Sequence, residues 1–173
     1  MALAFDLAPA TDANFDDLLA LRMESLRESL ERIGRFDPMR AAERFRSSFR
    51  PTETRRILVD AVPAGCVGSL AEPVDAMRIE HFYMAPSFQN LGIGSAVLER
   101  LFRDLLPSVR LVRVGALRES DANRFYQRHG FLQVAETEWD IECERPANST
   151  LPPVDDSYRR GAAVTAPSRR TAR

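Results

Sequence analysis

At 173 residues the chain has room for one domain with a tail rather than two domains. Its 45% hydrophobic and 28% charged residues are those of an ordinary globular protein, and a net charge of -1 calls for neither nucleic acid nor an anionic membrane as a partner. No apolar run is long enough for a transmembrane helix, and Met1 to Asp6 lacks the basic-then-apolar layout of a secretory signal. Cys66 and Cys143 fit neither a disulfide framework nor a zinc pattern. They are expected as small apolar fillers in strands, with no metal site and a reducing, cytoplasmic location.

Leu3 to Ala8 is predicted as a first strand, broken by Pro9, with Thr11 or Asp12 starting a helix. That helix carries Phe15, Leu18, Leu19, Met23, Leu26, Leu30 and Ile33 on one stripe and ends at Gly34. Asp37-Pro38 is an N-cap followed by a proline at the first helical position, and Pro51 ends the second helix after Phe49. Arg56 to Ala61 and Cys66 to Leu70 are predicted strands, with Val62-Pro63-Ala64-Gly65 as the hairpin turn between them. Ala76 to Met84 is the next strand, closed by Pro86. Ile93, Val97, Leu98, Leu101, Phe102 and Leu105 then mark one face of a helix running to Leu106. Val109 to Leu117 alternates as a strand. Ser120-Asp121 caps a short helix over Ala122 to His129, closed by Gly130, and Phe131 to Glu142 supplies one or two last strands. From Pro146 to Arg173, Pro, Ser, Thr, Ala and Arg dominate, so a folded domain over 1–145 and a disordered tail over 146–173 are expected.

The informative stretch is Met84-Ala85-Pro86-Ser87-Phe88-Gln89-Asn90-Leu91-Gly92-Ile93-Gly94-Ser95. Glycines between a strand and a helix let backbone N–H groups converge before the helix N-terminus, where the dipole also favours a phosphate or pyrophosphate. No Lys-Ser/Thr pair follows Gly94, which excludes a P-loop, and Val97 stands where a dinucleotide fingerprint needs its third glycine. What remains, Gln89-x-x-Gly92-x-Gly94 after a strand ending at Met84, closely resembles the acetyl-CoA loop of the GNAT N-acetyltransferase superfamily. A second stretch, Asn123-Arg124-Phe125-Tyr126 with Gly130-Phe131 beyond it, is similar to the same family's other signature.

The resemblance covers about Leu3 to Glu142. It implies an α/β fold of α+β character, with a mixed, mostly antiparallel central sheet of about six or seven strands flanked by about four helices. It also implies an acetyl-CoA-dependent N-acetyltransferase acting on a primary amine of a small molecule or peptide. Acetyl-CoA would contact Phe82, Tyr83, Met84, Gln89, Asn90, Leu91, Gly92, Ile93, Gly94, Ser95 and Asn123, the last through its pantetheine arm or a phosphate. Tyr126 is implied as the general acid for the leaving thiolate, with backbone N–H groups near Met84 as oxyanion donors.

Glu80 and His81 are the two choices for a base on this strand, with Glu80 ahead. As neighbours in a strand they are expected on opposite faces, Glu80 with Phe82 and Met84, His81 with Ile79 and Tyr83. Arg22, Glu24 and Arg27 are placed either to touch an acceptor or to form ion pairs along their helix. The alternative function is a non-catalytic acyl-CoA-binding regulatory module. Homodimers are common among such proteins, but no surface patch of this sequence marks one.

Overall fold

In the computed structural model, residues 4–149 are described. The elements in chain order are β1 (Asp6–Pro9), α1 (Phe15–Arg32), α2 (Pro38–Ser48), β2 (Thr54–Val59), β3 (Val62–Glu72), β4 (Ala76–Met84), α3 (Ile93–Arg103), β5 (Leu111–Leu117), α4 (Asp121–Arg128), β6 (Leu132–Glu136) and β7 (Asp140–Pro146). The strands form one sheet in the order β1-β2-β3-β4-β5-β7-β6. Every neighbouring pair is antiparallel except β4 and β5. Seven strands and four helices agree with the sequence expectation.

Alternation along the strands builds two cores. Val67 joins Ile79, Val112 and Val114 under Ile93, Val97, Leu98 and Leu101 of α3 and Tyr126 of α4. Its neighbour Cys66 turns the other way, to Leu18 of α1 and Phe45 of α2. Both cysteines are buried free thiols, as the sequence suggested. Asp37 caps α2 by accepting a hydrogen bond from the Arg40 N–H at 3.1 Å.

Three local expectations need correction. The β2–β3 turn is not Val62 to Gly65 but Asp60-Ala61, both left-handed with φ of 49° and 63°. Val59 pairs with Val62 and Leu58 with Pro63, so Pro63 sits inside the ladder beside a bulge at Ile57/Leu58. Gly65, which looked like a turn residue, marks a close strand approach instead. A Cβ there would lie 2.4 Å from the Tyr83 carbonyl oxygen.

The second correction concerns β4. Cys66 pairs with Tyr83 and Gly68 with Glu80, so one residue of β3 faces two of β4. The extra residue is His81, with a φ of 49°, which is a β-bulge. Strict alternation fails there. Glu80 and His81 line one recess together with Ser48, Arg50 and Thr54, on the α2 side of the sheet. Phe82 and Met84 belong to the α3 core, and Ile79 lies with them rather than with His81.

The third concerns the end of the domain. β7 continues through Pro146, paired with Leu111, and the Ala147 N–H bonds the Arg110 carbonyl. The ladder thus runs past residue 145, and the rest of the expected tail, 150–173, lies outside the described residues.

On the sheet face opposite α3, where β4 and β5 are still paired, Arg78 bridges Glu72 and Glu142 at 2.7 and 2.9 Å. Arg113 likewise bridges Glu72 and Glu144 at 3.1 and 2.8 Å. The chain carries 24 arginines and no lysine. Burial opposes the charge on Glu72, but hydrogen bonds and charge from Arg78 and Arg113 outweigh it and hold the carboxyl below its ordinary value. A depressed carboxyl stabilises the fold above its unfolded pKa and loses that contribution as pH falls through the folded one. Glu72→Gln is therefore expected to destabilise the protein at neutral pH and to flatten the fall of its urea midpoint on acidification. A fall as steep as in the wild type would exclude Glu72 as a contributor.

Candidate active site

The site begins where two strands part. The parallel β4–β5 pairing runs only from Ala76↔Leu111 to Ile79↔Val114. Beyond that, β4 continues on β3 to Met84↔Gly65, while β5 continues on β7 to Leu117↔Asp140. The sheet is split at this end. The Ala85 N–H bonds the Ala64 carbonyl on β3 at 2.9 Å, so alternation turns the Met84 N–H to the opposite edge, toward the gap. The Met84 carbonyl is held by the Ser25 hydroxyl of α1 at 3.1 Å and by the Gln89 side-chain amide at 2.9 Å. The Gln89 side chain thus fastens the loop to the strand end.

A 3₁₀ turn over Pro86–Phe88 leads into the glycine loop. Asn90 and Gly92 are left-handed, with φ of 60° and 80°, and Gly92 is the N-cap of α3. No side chain caps this helix, and its first internal bond is Ala96 N–H to Gly92 carbonyl at 3.1 Å. The N–H groups of Ile93, Gly94 and Ser95 precede that bond and lack helical partners. They lie at the positive end of the helix dipole, which suits a pyrophosphate. A Cβ on Gly94 would sit 3.6 Å from Phe125 and 4.0 Å from Phe82, so the loop lies directly on both rings. Leu91 is exposed at the loop tip.

From the other side of the gap, α4 presents Asn123 and Tyr126. The Asn123 amide nitrogen donates to the Leu117 carbonyl at 2.7 Å and to the Ser120 carbonyl at 3.2 Å, which fixes the orientation of the amide. Its Oδ1 is then a buried acceptor with no partner. An unpartnered acceptor is suited to a donor such as an amide N–H and not to a phosphate oxygen. Tyr126 is buried, its ring 5.3 Å from Phe125 and 5.5 Å from Phe131. Burial pushes its phenol well above the ordinary value, so it stays protonated at any ordinary pH.

The opposite face of β4 differs in character. The Tyr83 side chain points to α1, where its hydroxyl accepts a hydrogen bond from Arg22, so only its backbone is left for a cofactor on the α3 side. Burial pushes the Tyr83 phenol up to about 12, against the pull of Arg22. His81 stacks edge-on against Phe45 at 5.0 Å, and its Nε2 is buried without a partner. Desolvation lowers its pKa and keeps it neutral. Arg22 also lies over the Tyr83 and Phe45 rings at 5.5 and 5.8 Å. Glu24 is exposed, and Arg27 pairs with Glu31 at 3.9 Å, so of the three α1 residues only Arg22 reaches β4. Among the described residues, no group of His, Cys, Asp or Glu is placed to hold a metal.

The sequence reading missed His129. The residue is 4% exposed, and its Nε2 lies 3.0 Å from the Ser95 hydroxyl. Nothing in the spacing of residues 95 and 129 signals that contact, because it joins two helices that meet only in the fold.

Residues 53–133 match the family model described as "Acetyltransferase (GNAT) domain". No curated protein matches the sequence. Among solved structures, an acetyltransferase from Thermus thermophilus is similar, with 20% identity, a TM-score of 0.68, and 84% of this chain and 98% of that one covered. A PaiA N-acetyltransferase from Thermoplasma acidophilum, in complex with coenzyme A, shares 13% identity with a TM-score of 0.63, covering 83% and 99% of the two chains. An N-acetylglutamate synthase from Neisseria gonorrhoeae, complexed with coenzyme A and N-acetyl-glutamate, shares 14% identity with a TM-score of 0.59, covering 84% of this chain and 36% of that one. The split sheet and the uncapped glycine-led helix thus fall within the part of the chain, residues 53–133 from β2 to the start of β6, that matches an acetyltransferase domain of the GNAT kind.

Proposed function

We propose that the protein transfers the acetyl group of acetyl-CoA to a primary amine of a small molecule or peptide. The observation that carries this reading is the gap between β4 and β5, with the uncapped N-terminus of α3 on one side and Asn123 and Tyr126 on the other. The pyrophosphate would rest on the N–H groups of Ile93, Gly94 and Ser95. The pantetheine arm would run in the gap, one amide N–H donating to Asn123 Oδ1. The thioester carbonyl would then meet the Met84 N–H, which stabilises the oxyanion as the amine attacks.

The reaction forms a C–N bond and breaks the C–S bond. The leaving thiolate takes the Tyr126 proton, and the amine gives up its own proton to a base. Glu80 leads for that role, with neutral His81 beside it. The bulge brings both to the α1–α2 side of the sheet, where an acceptor would approach. Tyr126 regains its proton through solvent before the next turnover.

The test is release of the CoA thiol from acetyl-CoA in the presence of a panel of amines, read with a thiol-reactive dye. Thiol release that depends on an amine is expected, with an N-acetylated product in the mass spectrum. Glu80→Gln and His81→Gln are expected to lower turnover unequally, and the larger loss names the base. Stabilisation by acetyl-CoA with no thiol release for any amine would favour the acyl-CoA-binding module instead.

A further inference from the structure

We propose that His129 is a positioning residue for the cofactor, holding the Ser95 hydroxyl so that its proton points at a pyrophosphate oxygen. The proposal rests on the cofactor reading above. Ser95 is the third residue of α3, within the turn whose N–H groups have no helical partners. Its Oγ lies 3.0 Å from His129 Nε2. His129 itself is immobilised. Its backbone N–H bonds the Phe125 and Tyr126 carbonyls at 3.3 and 3.0 Å, and its ring packs 4.6 Å from the Phe125 ring.

A hydroxyl carries one proton, and a neutral imidazole has one N–H and one lone pair. Two arrangements therefore satisfy this contact. If Ser95 donates to Nε2, its proton is spent tying α3 to α4, and the pair is a structural link only. If Nε2–H donates to Ser95, the hydroxyl proton is free and turns to the mouth of α3, beside three converging N–H groups. Burial, with Arg128 and Arg145 nearby, pushes the imidazole down to about 4, so it is neutral and either tautomer is open to it. An anion at the helix mouth favours the second arrangement, because only that one aims a further donor at it. The contact also joins the two sequence motifs, so the phosphate end of the site is set by α4 as well as by the glycine loop.

The test compares acetyl-CoA with acetyl-pantetheine, which keeps the thioester but lacks the pyrophosphate and nucleotide. Ser95→Ala is expected to raise the Kd for acetyl-CoA about tenfold, as for loss of one hydrogen bond to a charged group. His129→Leu is expected to raise it by a similar factor alone and by little more when added to Ser95→Ala. His129→Gln, which keeps an N–H donor, is expected to recover part of the loss. In each of the three, kcat/KM for acetyl-CoA is expected to fall more than that for acetyl-pantetheine, so that the ratio of the two drops.

Equal losses with both donors, or full additivity of His129→Leu with Ser95→Ala, would overturn the proposal and leave the structural link. So would an unchanged Kd in Ser95→Ala, which also covers the case where His129→Leu fails to fold. Failure of the wild type to bind acetyl-CoA is a separate result that removes the cofactor reading and this inference with it.

Discussion

Gly92→Glu is expected to abolish the stabilisation that acetyl-CoA gives the wild-type protein while leaving the chain folded. A ligand that binds only the native state adds about 2.7 kcal/mol at a hundred times its dissociation constant. Two effects of the variant act on that figure separately. Gly92 has a φ of 80°, a conformation that costs a side-chain-bearing residue about 1–2 kcal/mol, so the unliganded variant should melt somewhat lower. No atom lies within 4 Å of a Cβ built there, so there is no clash to add to that strain. The glutamate carboxylate is then free to reach the mouth of α3 and meet the same N–H groups as the pyrophosphate, displacing or repelling it. Gly92→Ala carries the strain without the charge and should keep a reduced but clear ligand shift. Thermal unfolding of the three proteins with and without acetyl-CoA checks this directly. A full shift in Gly92→Glu would move the pyrophosphate away from α3.

Tyr126→Phe is expected to lower kcat by about a hundredfold to ten-thousandfold, the usual contribution of a placed proton donor. KM for acetyl-CoA should change little, because in the proposed mechanism the hydroxyl acts on a sulfur that carries negative charge only in the transition state. Stability should also hold, since the ring's contacts with Phe125 and Phe131 do not involve the oxygen. The pH profile supplies a second check. With its phenol pushed far up by burial, Tyr126 remains a donor throughout, and turnover should show no alkaline decline near the ordinary tyrosine pKa of about 10. An unchanged kcat in Tyr126→Phe would remove the residue from the proton path.

The parts of this molecule that were legible in the sequence are those whose signal is local. The glycine pair, the apolar face of α3 and the Asp37-Pro38 cap each declare themselves within a few residues, because backbone geometry and helical period act at that range. The β4 bulge did not. Its cause is the mismatch between one residue of β3 and two of β4, and neither strand alone shows that its partner is one residue short. His81 has no composition that calls for a left-handed φ, so alternation put Glu80 on the wrong face. Pro63 and Gly65 misled for the opposite reason. Both are strong local breakers, overridden here by a two-residue turn just upstream and by the close approach of β4. Ser25 on the Met84 carbonyl, and His129 on Ser95, are contacts 59 and 34 residues apart, which no window of the sequence contains.

The arginine-only surface has a chemical corollary. An enzyme that acylates amines is bathed in its own reagent, and exposed ε-amines are the first bystanders to react. A guanidinium stays protonated and non-nucleophilic across the whole working range, so Arg78 and Arg113 cannot be capped and their charge cannot be lost. Their bridges to Glu72, Glu142 and Glu144 are thereby immune to a modification that would leave three carboxylates facing one another. These 173 residues contain 24 arginines and no lysine, so they offer no ε-amine to acylate. Radiolabelled acetyl counts recovered with these residues would therefore not come from lysine self-modification.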